Sequence, residues 1–146
     1  MTSPDTRRMV RVDQAGEYGA TRIYAGQLAV MGTRAAYSGE VAAMAAHEAE
    51  HLRKFDALAA ARGVRPTALQ PLWNVAGFAL GAATALIGPE AAMACTAAIE
   101  QEIDRHYTAQ LDEIGSSDAE LSALIDLTRA EAVSYTHLTL PTNREV

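Results

Sequence analysis

A carboxylate and an imidazole that could bind a metal ion together lie three residues apart, at Glu48 and His51. On a helix, this spacing places both side chains on one face. The other residues of that face between Val41 and Ala59 are apolar, so both polar groups are predicted to face the core. A buried carboxylate needs a paired charge, hydrogen bonds or a metal ion. The pattern alone leaves two interpretations open, a metal-ligand pair of a helical bundle or a hydrogen-bonded core pair.

Two further acids occupy apolar faces of other predicted helices. Glu17 lies between Val10 and Tyr24 on the face of the first helix, and Glu100 follows Met93 on that of the fourth. Each acid alone could pair with an arginine or a backbone group. Few inward basic residues are available, however, and one shared cation would neutralise all of the acids. Carboxylate-rich ligation with one imidazole favours iron or manganese, so the residues predict a helical bundle with a carboxylate-bound metal.

The sequence signals of helix ends predict five helices that position these groups. Ser3 followed by Pro4 is typical of a helix start, and Pro89 opens another helix in the same way. Ser117 and Glu120 form a predicted capping box before the last helix. The predicted helices cover residues 4–31, 40–62, part of 66–89, 89–114 and a last stretch that follows residue 117.

Composition limits the class of protein. The 146 residues suffice for one domain with a core, and 49% hydrophobic but only 5% aromatic residues, many of them alanine, favour an all-α fold. The net charge of −6, without a basic run, argues against nucleic acid as a partner. Cys95 is the single cysteine, which fits a reducing compartment and excludes an internal disulfide. The sequence starts without the apolar segment of a secretory signal, so none is expected.

An uncharged segment runs from Pro66 to Pro89 and is marginal for a membrane-spanning helix. Two interpretations remain open from the residues alone. The helix is either buried among others, or it enters a membrane surface or lines a hydrophobic pocket with Trp73 near the interface. Gly77 and Gly81 are spaced for close packing against another helix.

Several segments between Met9 and Glu131 together resemble the demethoxyubiquinone hydroxylase family of ubiquinone biosynthesis. These segments are RVDQAGEYGA at 11–20, RIYAGQ at 22–27, RPT at 65–67, PLWNV at 71–75, GFALG at 77–81 and MACT at 93–96. They are specific, whereas the Glu-x-x-His pattern alone is not.

The resemblance implies an all-α, ferritin-like helical bundle with an extra apolar, membrane-associating helix. It implies a di-iron monooxygenase that uses O2 to hydroxylate a polyprenyl demethoxybenzoquinol, with NADH as the ultimate electron source. The four ligands carried over for two iron ions are Glu17, Glu48, His51 and Glu100, with Glu48 as the bridging carboxylate. The resemblance also implies peripheral attachment to the cytoplasmic face of the inner membrane, beside other ubiquinone-biosynthesis proteins.

Two residues of unassigned role also match the family. His106 and Tyr107 correspond to a pair of family residues near the metal site.

The chain departs from the family pattern near its end. The family's last Glu-x-x-His is expected at positions 132 and 135, where this chain has Ala132 and Tyr135. Glu131 is one residue away, or about 100° around a helix. We therefore divide the chain into a C-terminally truncated di-iron domain, 1–132, and a non-native-looking tail, 133–146, which resembles translated sequencing adapter.

The departure makes the activity of this particular polypeptide doubtful. We expect it to bind iron poorly and to lack hydroxylase activity, because two of the six family ligands are absent. One alternative is a non-catalytic, membrane-associated helical protein of the quinone-synthesis assembly. Another is a different ferritin-like iron-binding protein.

Overall fold

The computed structural model of the protein describes the backbone of residues 3–139 and the side chains of residues 3–132. Within this part of the chain the regular secondary structure is all α-helical, as predicted. The five helices are α1 (Pro4–Met31), α2 (Ser38–Ala61), α3 (Gln70–Ile87), α4 (Pro89–Ile114) and α5 (Ala119–Thr139). The side chains of the predicted tail, 133–146, lie outside the described residues, so the division at residue 132 stays a prediction.

The helix starts follow from local capping, with one correction. The hydroxyl of Ser3 accepts a hydrogen bond from the backbone N–H of Thr6, which confirms Ser3 as the N-cap of α1. The predicted cap of α5 is wrong by one residue. The carboxylate of Asp118 accepts from the backbone N–H of Leu121, whereas the hydroxyl of Ser117 donates to the carbonyl of Ile114. Asp118 therefore caps α5. Aspartate and serine are about equally favourable as N-cap residues.

The same carboxylate joins α5 to the end of α2. Both Nη atoms of Arg62 donate to Asp118, at 2.5 and 2.9 Å, and both side chains are largely buried. The hydrogen bonds from Arg62 hold the pKa of Asp118 below its ordinary value of 3.8. A two-pronged arginine–carboxylate contact of this kind is stronger than a neutral hydrogen bond.

We expect Asp118→Asn to lower the free energy of unfolding by about 1–2 kcal/mol at neutral pH, because asparagine keeps the helix cap but loses the ion pair. A carboxylate whose pKa is lower in the folded protein than in the unfolded chain contributes stability at pH values above the unfolded-state pKa. This contribution is lost as the pH falls through the folded-state pKa. The difference between the two proteins should therefore shrink below pH 3.8. Urea unfolding at several pH values measures this, with the exposed Asp112→Asn as control; a difference independent of pH would contradict it.

Two apolar clusters form the core, and the buried acids fall between them along the helices. The first cluster includes Val10, Phe55, Tyr107, Leu121 and Ile125. The second includes Ala20, Tyr24, Val41, Met44 and Met93. Along α1, α2 and α4, the sequence passes from a residue of one cluster to an acid and then to a residue of the other. The buried acids thus lie at one level of the bundle, with one apolar cluster on each side of them along the helices.

Helix α3 is attached to α1 by direct contact of the two backbones. A Cβ atom added to Gly81 would lie 1.9 Å from the carbonyl oxygen of Ile23, and one added to Gly26 would lie 2.1 Å from that of Phe78. Gly77 is also close, 3.1 Å from the carbonyl oxygen of Gly19 by the same measure. The close packing predicted for Gly77 and Gly81 is confirmed, and its partner is α1 of the same chain.

The rest of α3 is largely uncovered. Its described buried residues are Gly77, Gly81 and Ala85. Large apolar side chains stand exposed before and along it: Leu69, Leu72, Trp73, Val75, Leu80, Leu86 and Ile87. The interpretation of this segment as a helix buried among others is therefore wrong for this chain. Among the described helices, none has the length and apolar character needed to span a membrane.

We expect Gly81→Ala to destabilise the protein by about 2 kcal/mol or more, since the added methyl group would overlap a backbone carbonyl that cannot rotate away. Gly16→Ala is the matched control, because a Cβ there meets no atom within 4 Å. In a helix interior, that replacement should instead stabilise by about 0.5–1 kcal/mol. Urea unfolding followed by circular dichroism compares the two, and equal effects of the same sign would contradict the packing described.

Candidate metal centre

Two helices bring three of the predicted metal ligands to one buried position. Glu17 comes from α1, and Glu48 and His51 come from one face of α2; they are 1%, 3% and 1% exposed. Nδ1 of His51 lies 3.5 Å from Oε2 of Glu48 and 3.9 Å from Oε2 of Glu17. One ligand atom from each of the three lies within 4.8 Å of the others. A single cation could contact all three with small side-chain movements.

The fourth predicted ligand, Glu100 of α4, borders the same position. It is 6% exposed and lines a small cavity of about 10 Å³ together with Glu48. Ala132 of α5 lines that cavity as well. The register of α5 thus points position 132 at the predicted ligands, which is where the family pattern expects a carboxylate. The side chain of Tyr135 lies outside the described residues.

Among the residues that the structure describes, each of the four predicted ligands carries a buried atom without a hydrogen-bond partner. These atoms are Oε2 of Glu17, Oε2 of Glu48, Nδ1 of His51 and Oε2 of Glu100. Buried polar atoms of native proteins nearly always have a partner. Ligand atoms of Glu17, Glu48 and His51 that lie close together, with Glu100 beside them, fit a bound cation, and this donor set suits iron or manganese.

Two buried tyrosines orient the carboxylates. The hydroxyl of Tyr107 donates to Oε1 of Glu17 at 2.6 Å, and that of Tyr24 donates to Oε1 of Glu100 at 2.7 Å. In each acid, one oxygen is fixed by a phenol and the other is left for a ligand. Burial, with the neighbouring carboxylates, raises the pKa of both phenols, so both remain proton donors. Such outer hydrogen bonds orient metal ligands.

The pKa values of the buried acids and of the imidazole are shifted by burial and by the neighbouring negative charges. Burial, and then the neighbouring carboxylate of Glu48, raises the pKa of Glu17 well above 4.5, and burial also raises the pKa of Glu100. Burial alone would lower the pKa of His51, but the carboxylates of Glu48 and Glu17 outweigh it and raise the value to about 9. Protons therefore neutralise part of the charge that a cation would neutralise.

A larger apolar cavity of about 570 Å³ lies between α1, α3 and α4. Gly16 and Gly19 line it from α1, Trp73 and Gly77 from α3, and Ile99 from α4. Gly16 directly precedes Glu17 in the chain, and Ile99 directly precedes Glu100. The helices that carry two of the acids therefore also form walls of the apolar cavity.

Residues 4–145 match the protein family described as ubiquinone biosynthesis protein COQ7. The chain belongs to this family. Its predicted membership of a demethoxyubiquinone hydroxylase family is thereby confirmed.

Relatives of this COQ7-family chain carry names that state a hydroxylase activity. The chain is 57% identical over 128 residues to the 3-demethoxyubiquinol 3-hydroxylase of Rhodospirillum rubrum, and the matched residues cover 88% of this chain and 60% of that protein. It is 54% identical over 113 residues to the human mitochondrial NADPH-dependent 3-demethoxyubiquinone 3-hydroxylase, covering 77% and 52%. The 5-demethoxyubiquinone hydroxylase of Saccharomyces cerevisiae is 48% identical over 110 residues, covering 75% and 47%. The chain thus spans about half to three-fifths of the length of these relatives.

The two family residues of unassigned role now have partners in the COQ7-family chain. Tyr107 holds Glu17, as described above. Nε2 of His106 lies 3.0 Å from Oδ1 of Asp13, a buried acid one turn before Glu17 on α1. Both members of the pair therefore tie α4 to the stretch of α1 that carries Glu17.

Sequence reasoning did not anticipate the contacts of Glu131. Its carboxylate lies 2.8 Å from Nε2 of His51, on the opposite side of the ring from Glu48. The rotation of about 100° from position 132 suggested that Glu131 would miss the site, but a glutamate side chain is long enough to reach the outer edge of the imidazole. The spacing of His47 and His51, one helical turn apart, is the sequence signal that could have indicated further polar contacts at the outer edge of His51.

Proposed function

We propose that this chain carries most of the metal site of a ferritin-like di-iron monooxygenase that hydroxylates the ring of a polyprenyl demethoxybenzoquinol in ubiquinone biosynthesis. The observation that carries the proposal is that ligand atoms of Glu17, Glu48 and His51 lie within 4.8 Å of one another, with Glu100 beside Glu48. Among the described residues, each of the four carries a buried atom without a hydrogen-bond partner. The names of the similar hydroxylases agree with it. Bundles of this class use glutamates and Glu-x-x-His pairs that project inward from different helices.

The residues have separate roles in this proposal. Glu17, Glu48, His51 and Glu100 would hold iron, about two ions in a site with a complete ligand set. Bound iron supplies the activation of O2. Tyr107 and Tyr24 keep one oxygen of Glu17 and of Glu100 fixed, so the other oxygen is already directed at the metal position. The apolar clusters on either side help to keep these four side chains buried.

The substrate and the membrane belong to the same proposal. The apolar cavity of about 570 Å³ is large enough for a quinol ring with part of its prenyl tail. The exposed apolar side chains of α3 support peripheral attachment to a membrane, where such a substrate resides. We place the protein at the cytoplasmic face of the inner membrane, beside other ubiquinone-biosynthesis proteins. A reduced nicotinamide nucleotide is the proposed electron source, with NADH as the first candidate.

Ala132 favours one alternative for the chain as it stands. A methyl group occupies the wall of the small cavity where the family pattern expects a carboxylate, so the ligand set is incomplete there. The chain would then be a non-catalytic, membrane-associated helical protein. A cage-forming iron-storage protein is less consistent with the structure, because the apolar face of α3 is exposed.

Iron content and product formation test the catalytic proposal together. The metal-free chain is loaded with Fe²⁺ under nitrogen, desalted and analysed by elemental mass spectrometry, and demethoxyquinol conversion is followed by liquid chromatography with mass spectrometry. Glu48→Gln should lower iron retention at least about tenfold, since it removes a ligand. Glu50→Gln, on the exposed side of α2, should leave retention unchanged. Equal retention in both variants would contradict the assignment of the site.

Co-sedimentation with anionic phospholipid vesicles tests the attachment. We expect Leu86→Glu/Ile87→Glu to weaken binding at least about tenfold, because each charge removes roughly 2 kcal/mol or more of favourable apolar transfer. These side chains are 74% and 79% exposed, so the fold should tolerate the change. Leu127→Glu on α5, where the leucine is 44% exposed, is the control. Equal binding of both variants would argue against attachment through α3.

A further inference from the structure

A second group of metal-binding side chains lies on the outer side of His51. His47 and His51 are one turn apart on α2, with ring centroids 4.8 Å apart. Glu131 reaches across from α5, and its Oε2 lies 2.8 Å from Nε2 of His51 and 3.5 Å from Nε2 of His47. One ligand atom from each of the three lies within 4.8 Å of the others. We propose that His47, His51 and Glu131 form a binding site for a divalent transition-metal ion of the zinc type, separate from the inner carboxylate position.

The donor set and its spacing fit this ion. Two imidazoles and one carboxylate are the protein ligands of a common class of open zinc site. The two histidines belong to the sequence His-Glu-Ala-Glu-His at 47–51, in which their spacing places both rings on one side of the helix. Imidazole ligands favour zinc, and in the general order of divalent affinities zinc binds more tightly than iron(II) or manganese(II).

The distances need only a small adjustment. Ligand atoms about 2.0–2.1 Å from a tetrahedral zinc ion are about 3.4 Å apart. The separation between His47 and Glu131 is already 3.5 Å, and that between His51 and Glu131 would widen from 2.8 Å as the ion replaces the shared proton. The side chains of His47 and Glu131 are 35% and 32% exposed, so this position lies near the surface of the bundle. By contrast, the inner carboxylates are buried.

His51 connects the outer and inner positions through opposite ring nitrogens. Nδ1 faces Glu48 and Glu17, whereas Nε2 faces Glu131. A neutral imidazole binds a metal ion through one nitrogen and keeps a proton on the other. With zinc on Nε2, the Nδ1–H would point at the inner carboxylates, the usual outer-shell partners of a metal-bound histidine. Occupation of the outer site therefore competes with any cation that binds Nδ1.

Zinc titration of the metal-free, full-length chain tests the proposal without reference to iron or hydroxylation. Zn²⁺ is competed against a chromophoric chelator, and Co²⁺ absorption reports the ligand geometry. His47→Ala and Glu131→Gln should each lower the zinc association constant at least about tenfold, because each removes a direct ligand. Glu50→Gln, on the exposed side of α2 and paired with Arg53, should leave the constant unchanged within about twofold.

The controls separate this site from others. His106→Ala removes a histidine that contacts Asp13 on α1 and should not affect zinc binding. Circular dichroism verifies that the variants fold, and the partial exposure of His47 makes its replacement tolerable. Zinc affinity that falls in Glu50→Gln but not in His47→Ala would overturn the proposal, as would a wild-type chain that fails to bind Zn²⁺ at micromolar concentration. Failure of iron loading in the earlier test leaves this result unaffected.

Discussion

Ala132→Glu combined with Tyr135→His is expected to raise iron binding from less than one to about two ions per chain, because the double replacement supplies the Glu-x-x-His that the proposed di-iron site lacks. Ala132 already lines the small cavity beside Glu48 and Glu100. A carboxylate introduced there would face the carboxylates of Glu48 and Glu100 across this cavity. The backbone of α5 is helical through Thr139, so a side chain three residues later lies on the same face.

Elemental analysis of desalted protein measures the iron, and demethoxyquinol conversion measures the consequence for catalysis. The matched control is Ala123→Glu/Asp126→His, which places the same side chains at the same spacing on the exposed side of α5. That control should leave iron content unchanged. A wild-type chain that already retains about two ions would contradict the predicted incompleteness of the site. A restored variant no better than the control would contradict the register of α5.

Glu17→Gln is expected to stabilise the metal-free protein by about 1–3 kcal/mol and to lower iron binding at least about tenfold. Glutamine can still accept the hydrogen bond from Tyr107 through its carbonyl, and its amide can donate to Glu48. The buried negative charge is removed, and with it the repulsion between two neighbouring carboxylates. A gain in stability with a loss of binding is typical of a site selected for its ligand.

The pH dependence of this gain has a defined sign. The pKa of Glu17 is raised above its ordinary value of 4.5, so the folded protein holds a proton that the unfolded chain releases as pH rises. The native state therefore loses stability above pH 4.5, and Glu17→Gln should show its advantage at neutral pH and lose it in acid. Urea unfolding with a chelator present measures the effect, and Glu50→Gln is the control. A destabilised Glu17→Gln would favour the simple hydrogen-bonded core pair.

Helical periodicity allowed much of the bundle and the site to be predicted. Apolar residues at the helical period placed Glu17, Glu48, His51 and Glu100 on inward faces, and all four are buried. Their role as ligands was implied by family resemblance and stays a prediction. Prolines and capping residues gave the ends of α1 and α4 because these signals act within one turn.

Contacts between helices were not predictable in the same way. Which tyrosine holds which carboxylate depends on how α1 and α4 pack, which no local pattern specifies. The reach of Glu131 to His51 depends on the placement of α5 beside α2. Even the cap of α5 was predicted at Ser117 instead of Asp118, because adjacent residues of similar capping preference differ only in their final geometry.

The glycine contacts between α1 and α3 have a mechanical consequence. Where two backbones touch, as at Gly81 against Ile23, no side chain lies between them that could change rotamer and absorb a displacement. Closely packed interiors transmit strain, so a displacement of α3 is expected to displace α1 as well. Glu17 lies on α1, two helical turns before Tyr24. A displacement of α3 would therefore be expected to reach Glu17, one of the proposed metal ligands.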